Sequence, residues 1–137
     1  MIGSVAARRR GALIIVGIVA FAVPASAAAP TIAALAKLEK GRWQVRELDN
    51  AVAPTALCLG DPARLLRFEH RAVGGCASEI LGNGPASATV QYNCRGRGFG
   101  HSTLRVETPR SVRVDTQGMS GGRPFSYRLE AQRIGTC

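Results

Sequence analysis

No two of the chain's cysteines stand close together. Cys58, Cys76, Cys94 and Cys137 are spaced by 18, 18 and 43 residues, whereas a structural zinc site usually shows a C-x(2–4)-C pair, so metal binding is a poor account of these thiols. The sequence also lacks a nucleophile elbow and any cluster of metal-ligating side chains. Its 2 histidines and 9 acidic residues leave few general bases. His70, in Phe68-Glu69-His70-Arg71, reads as a solvated helix end, and His101 beside Ser102 is a neighbouring pair rather than a dyad. No catalytic constellation emerges, so the expectation is a non-enzyme without cofactor or metal.

What is present begins with an export signal. Arg8, Arg9 and Arg10 form a positive n-region, Ala12 to Val23 is an apolar run of twelve residues, and Pro24-Ala25-Ser26-Ala27 ends it with small residues at A-x-A spacing. Residues 1–27 are therefore read as a signal peptide cleaved near Ala27, and the mature protein as periplasmic or secreted. The competing reading, an uncleaved anchor, conflicts with the need for about 20 apolar residues and no proline near the end. Twin-arginine export is a second route that these arginines fit. No cysteine follows the run before Cys58, so no thiol is placed to carry a lipid. The mature form carries no membrane span on this reading.

A length of 137 residues leaves room for one domain, and 46% hydrophobic with 20% charged residues is a globular composition. Removing the three signal arginines lowers the formal charge from +9 to +6. Four cysteines, all in the mature part behind an export signal, imply two disulfides in an oxidising compartment.

Residues 28–40 form an N-terminal segment in which Ile32, Leu35 and Leu38 suggest a short helix. Residues 41–137 then read as a single disulfide-stapled β domain. Trp43 and Val45 share one face of a first strand. Asp61-Pro62 is an N-cap with proline at the first helical position, opening a short helix through Phe68. A hairpin follows, turning at Gly82-Asn83-Gly84-Pro85, with Ala88, Val90, Tyr92 and Cys94 on one face of its second strand. Three more strands complete the chain.

Those last strands carry Arg105-Val106-Glu107, Arg113-Val114-Asp115 and Arg128-Leu129-Glu130. A turn at Pro109-Arg110-Ser111 sets Arg105 against Asp115 and Glu107 against Arg113. A turn at Gly121-Gly122 sets Arg113 against Glu130, Asp115 against Arg128, and Gly118 against Phe125, whose ring covers the bare backbone. Val106, Val114 and Leu129 then stack on the core face. The expected fold is mainly β: an antiparallel curled sheet or incomplete barrel with one or two short helices and two disulfides. In such a meander Cys94 and Cys137 fall at opposite ends, which favours Cys76 with Cys94 and Cys58 with Cys137. Sequential pairing of Cys58 with Cys76 is the alternative for a strongly curled sheet.

Two motifs tempt and fail. Arg97-Gly98-Phe99-Gly100 resembles the opening of the RNA-recognition signature, but His101 stands at its next aromatic position. Gly96, Gly98 and Gly100 miss the dinucleotide fingerprint for the same reason. No nucleic-acid partner is expected. Two kinds of ligand contact are expected instead. A small apolar ligand held by a curled sheet would meet Trp43, Tyr92 and Tyr127. An anionic envelope component, such as lipid headgroups, polysaccharide or an acidic protein, would meet unpaired arginines: Arg95 and Arg97 at one loop, and Arg64, Arg67 and Arg71 on one helical stripe. Arg110 and Arg123 stand at turn tips.

Gly41-Arg42-Trp43, Cys58 before a short helix, the seventeen residues between Cys76 and Cys94, and the terminal Gly135-Thr136-Cys137 together look like domain-of-unknown-function family 3617. Its members are small exported proteins of Gram-negative bacteria. The resemblance runs from about Gly41 to Cys137, with Gln44 where many members have glutamate. It implies an exported, disulfide-bonded β domain and brings no activity or site to transfer, which leaves a non-catalytic binding or envelope-associated module as the expected function.

Overall fold

The computed structural model describes Gly3 and residues 31–137; the signal read over residues 1–27 otherwise lies outside the described residues. Seven strands form one antiparallel, unclosed sheet: β1 (Gly41–Glu47), β2 (Thr55–Leu59), β3 (Ala77–Asn83), β4 (Ser87–Cys94), β5 (Gly98–Thr108), β6 (Ser111–Ser120) and β7 (Arg123–Gly135). Their order is β2-β1-β7-β6-β5-β4-β3. The expected mainly β architecture is thus present. β2 was not expected, because only Leu59 of its five residues is buried and an edge strand without alternation leaves no pattern to read.

Alternation builds one buried face. Trp43, Val45, Ala88, Val90, Tyr92, Leu104, Val112, Val114, Leu129 and Ala131 all point into it. Two short 3-10 segments cover it. The first, Leu35–Lys37, brings Ala34 and Leu38 to the core, and is a single turn because so short a segment does not nucleate an α-helix. Trp43 Nε1 fastens it by donating to the Glu39 carbonyl at 3.0 Å. The second, Pro62–Arg67, buries Leu65 and Leu66; Asp61 caps it by accepting from the Ala63 amide at 2.9 Å.

The β6–β7 register is the expected one, with Gly118 opposite Phe125, Arg113 opposite Glu130 and Asp115 opposite Arg128. The β5–β6 register is not. Arg105 faces Arg113 and Thr103 faces Asp115, with an irregularity between Val106 and Thr108 that leaves Pro109-Arg110 as the turn. The core decides this. In the observed pairing the buried Ser102 and Thr116 hydroxyls bond each other at 2.7 Å, and Leu104 meets Val114. The charge-matched pairing would set Leu104 against Thr116 and Ser102 against Gly118, leaving both hydroxyls buried without each other at about 1–3 kcal/mol apiece. Exposed ion pairs are worth only about 0.2–1 kcal/mol, so they yield. Arg113 still reaches Glu107, at 2.9 Å, while Arg128 goes to Asp49 and Glu130 to Arg46.

Cys76 pairs with Cys94 and Cys58 with Cys137. The first bridge closes the β3–β4 hairpin. The second ties the end of β7 to β2 across β1, since Arg42 of β1 is paired with both Cys58 and Gly135. Both point to an oxidising compartment. Among the described residues no helix is long and apolar enough to cross a membrane. A digest without reductant is expected to yield these two linked peptide pairs. Because the bridges span 79 and 18 residues, replacing Cys58 and Cys137 by serine is expected to cost about 4.5 kcal/mol against about 3 for Cys76 and Cys94. Chemical denaturation of the two double variants measures the difference.

Candidate functional site

Of the three residues that sequence suggested for an apolar ligand, Tyr127 alone lines a recess on the inner face, a small one of about 110 Å³ with Val45, Phe68 and Leu129. Trp43 and Tyr92 are 0% and 1% exposed, so both are core side chains and not contacts for a small apolar ligand. Tyr127 is half-buried and its hydroxyl donates to the Glu69 carboxylate at 2.9 Å. His70, read from sequence as a solvated helix end, is 2% exposed. Its Nε2–H donates to the Arg97 carbonyl at 3.2 Å, and Nδ1 shares a hydrogen bond with the Tyr92 hydroxyl at 3.1 Å. The ring fits because Gly98 and Gly100 leave space: a Cβ at Gly98 would lie 2.8 Å from His70 Nε2, and one at Gly100 2.5 Å from the Tyr92 ring. His101 and Ser102 form no dyad, since successive strand residues point to opposite faces and the Ser102 hydroxyl is committed to Thr116.

The helical arginine stripe is absent. Segment Pro62–Arg67 is 3-10, with about 3 residues per turn, and Arg71 lies beyond it. Arg71 turns back over the Phe68 ring at 4.3 Å and donates to the Phe68 carbonyl at 2.8 Å, while Arg64 donates to the Arg71 carbonyl at 3.4 Å. Arg67 is half-buried beside them. Short-range backbone acceptors have claimed the guanidinium groups of Arg64 and Arg71.

Arg95 and Arg97 remain exposed on the β4–β5 turn. The Arg97 carbonyl accepts from both His70 and the Gly121 amide, the latter at 3.1 Å, which draws the β6–β7 turn and its Arg123 alongside. None of the three holds a carboxylate among the described residues, whereas Arg46, Arg110, Arg113, Arg128 and Arg133 each do. Beside Arg95 a recess of about 660 Å³ opens between Gly75, Ala77, Asn93 and Gly96. The Cys76–Cys94 bridge holds its two glycine walls together. Sequence placed Arg110 and Arg123 alike at turn tips; the fold sends Arg110 to the other end of the sheet and into Glu39 at 3.1 Å.

The outer face of the sheet carries two shallow, adjoining depressions that sequence did not reveal. One, of about 390 Å³, is lined by Asp49, His101, Thr103, Asp115, Gln117, Ser126 and Arg128. The other, of about 360 Å³, is lined by Gln91, Phe99, His101 and Gln117 with the backbone of Gly100 and Gly118. Asp49 forms a wall of the first by accepting from the Arg128 amide at 2.9 Å and from its guanidinium at 2.6 and 3.0 Å. Those hydrogen bonds hold its carboxyl below the ordinary range. A depressed carboxyl contributes stability that is present above its unfolded value and lost as pH falls through the folded one.

Burial, with the Glu69 charge second, pushes the Tyr92 phenol up to about 12; burial and the hydrogen bond to Glu69 push Tyr127 higher still. A raised phenol contributes stability that is fully present below its unfolded value and lost as pH rises through the folded one. These are the chain's 2 tyrosines. The native protein is therefore expected to show almost no phenolate absorbance at about pH 11, where the unfolded chain, titrating near 10, is mostly ionised. A native phenolate signal near pH 10 would contradict the buried cluster. Comparison with protein-family models, with curated proteins and with solved structures finds no match for this chain.

Proposed function

We propose that this chain is an exported, non-catalytic binding module of the bacterial periplasm, which takes anionic envelope material at the arginine-bearing end of its sheet. The signal-like residues 1–27 and the two disulfides support export, with cleavage near Ala27. Kinship with domain-of-unknown-function family 3617 belongs to the same proposal and rests on the tryptophan motif and cysteine spacing.

One observation carries the ligand class: Arg95, Arg97 and Arg123 stand on neighbouring turns without a carboxylate among the described residues. An arginine fork presents paired N–H donors that match carboxylate, phosphate or sulfate oxygens. Arg95 lines a glycine-walled recess, so an anion held there would reach both its guanidinium group and backbone, with Arg97 and Arg123 on the neighbouring turns.

The test uses the mature chain and immobilised dextran sulfate, with uncharged dextran as control. Retention on the sulfated polymer is expected at low salt and is expected to fade as salt rises. Combining Arg95→Ala, Arg97→Ala and Arg123→Ala is expected to weaken binding by about ten-fold or more, given about 1.5–3 kcal/mol for a charged hydrogen bond. Arg110→Ala, at the other end, is expected to change nothing. Equal losses from both variants would mean that overall charge, not this end of the sheet, does the binding.

A further inference from the structure

The arginine turns are continuous with the outer-face depressions. Arg97 precedes Gly98, the first residue of β5, and the next outward side chains along that strand are Phe99 and His101. At about 3.3 Å per residue, Arg97 to His101 spans roughly 13 Å.

Cross-strand pairing sorts the outer face into rows. Asn93, Phe99, Met119 and Pro124 make one row, apolar beyond Asn93, in which Phe99 is 48% exposed. Gln91, His101, Gln117 and Ser126 make the next, which carries no guanidinium and has one carboxylate, Glu79 of β3, at its far edge beside Gln91. Thr89, Thr103, Asp115 and Arg128 follow. In that third row Thr89 and Thr103 bond each other at 3.1 Å and Arg128 holds Asp49. The side chains of Gln91, His101 and Gln117 make no hydrogen bond to another protein group among the described residues, though they line the same depression of about 360 Å³. That volume lies within the about 300–1,000 Å³ of small-molecule sites.

We infer that this groove is a saccharide subsite and that the ligand of the arginine end is an acidic oligosaccharide; the anionic half of this rests on the function proposed above. Each glutamine amide offers both donors and an acceptor, the complement of neighbouring sugar hydroxyls. The exposed Phe99 ring offers a flat apolar surface to the C–H face of a sugar ring. An acyl chain would bury the amide row without partners. An added peptide strand finds no template either, because the groove crosses strands β4, β5, β6 and β7, whose backbone groups are already paired with one another.

The experiment is calorimetric titration of the mature chain with a tetrasaccharide of uronic acids and with the same compound after reduction of its carboxylates to alcohols. The acidic form is expected to bind about ten-fold tighter at low salt, with the gap closing as salt rises. Phe99→Ala and the pair Gln91→Ala with Gln117→Ala are expected to weaken both forms by a similar factor, about ten-fold, at every salt concentration. The arginine triple variant is expected to weaken the acidic form alone. These are surface substitutions, and unchanged circular dichroism checks the fold.

If the groove variants bind both compounds as tightly as the unaltered chain while the arginine variant loses the acidic one, the groove inference falls and the anionic reading stands. If the groove variants lose both and the arginine variant loses neither, the subsite stands and the anionic reading falls. Binding of neither compound overturns both. Tighter binding of a single-stranded oligonucleotide, weakened by Phe99→Ala, overturns the saccharide assignment.

Discussion

A seven-stranded open sheet has one apolar face to hide, and the described chain has two 3-10 segments, Leu35–Lys37 and Pro62–Arg67, with which to hide it. Aliphatic side chains from these segments cover the middle of the face. At the edge the cover is the His70 ring, a polar group that is tolerated in a buried position because both nitrogens have partners. Its neighbours are arranged around that need: Gly98 and Gly100 remove the side chains that would collide with His70 and Tyr92, and Phe125 closes on the ring from β7 at 6.0 Å. Gly98 is also the residue whose φ of +135° an L side chain would strain.

This seal reaches the surface through one atom. The Arg97 carbonyl takes the His70 proton donor on its inner side and the Gly121 amide from the next turn. Two turns that a free sheet would splay are thereby fixed together, and their exposed arginines with them. The Cys76–Cys94 bridge acts on the same end, holding Gly75 near Gly96. The placement of Arg95, Arg97 and Arg123 is thus a by-product of how the core edge is closed.

What could be read from the residues follows from the range of each signal. Strand alternation is local, so β1 and β4 were legible from Trp43-x-Val45 and Ala88-x-Val90-x-Tyr92. The β6–β7 register was legible because a two-glycine turn, a charge pattern and the Gly118–Phe125 pair all agreed. In β5–β6 the charges and the buried hydroxyls of Ser102 and Thr116 disagreed, and burial won. His70 could not be placed, because its partners Tyr92 and Arg97 lie 22 and 27 residues away and no local pattern marks it as buried. The outer groove was invisible for the same reason: Gln91, His101 and Gln117 become a row only when three strands are in register.

The charge distribution has a consequence that composition does not contain. The carboxylates of Glu39, Asp49, Glu107 and Glu130 are spent on Arg110, Arg133, Arg128, Arg113 and Arg46, away from the β4–β5 and β6–β7 turns. Exposed pairs of this kind add little to stability individually. Arg42 and Arg105 also stand on the sheet without a carboxylate, so what sets the turns apart is that Arg95, Arg97 and Arg123 stand close together there. A diffuse excess of arginine would attract any polyanion in any orientation. Three guanidinium groups on neighbouring turns would orient the encounter, so that a chain with negative groups would arrive at the turns and the row of Gln91, His101 and Gln117 would meet what is attached to them.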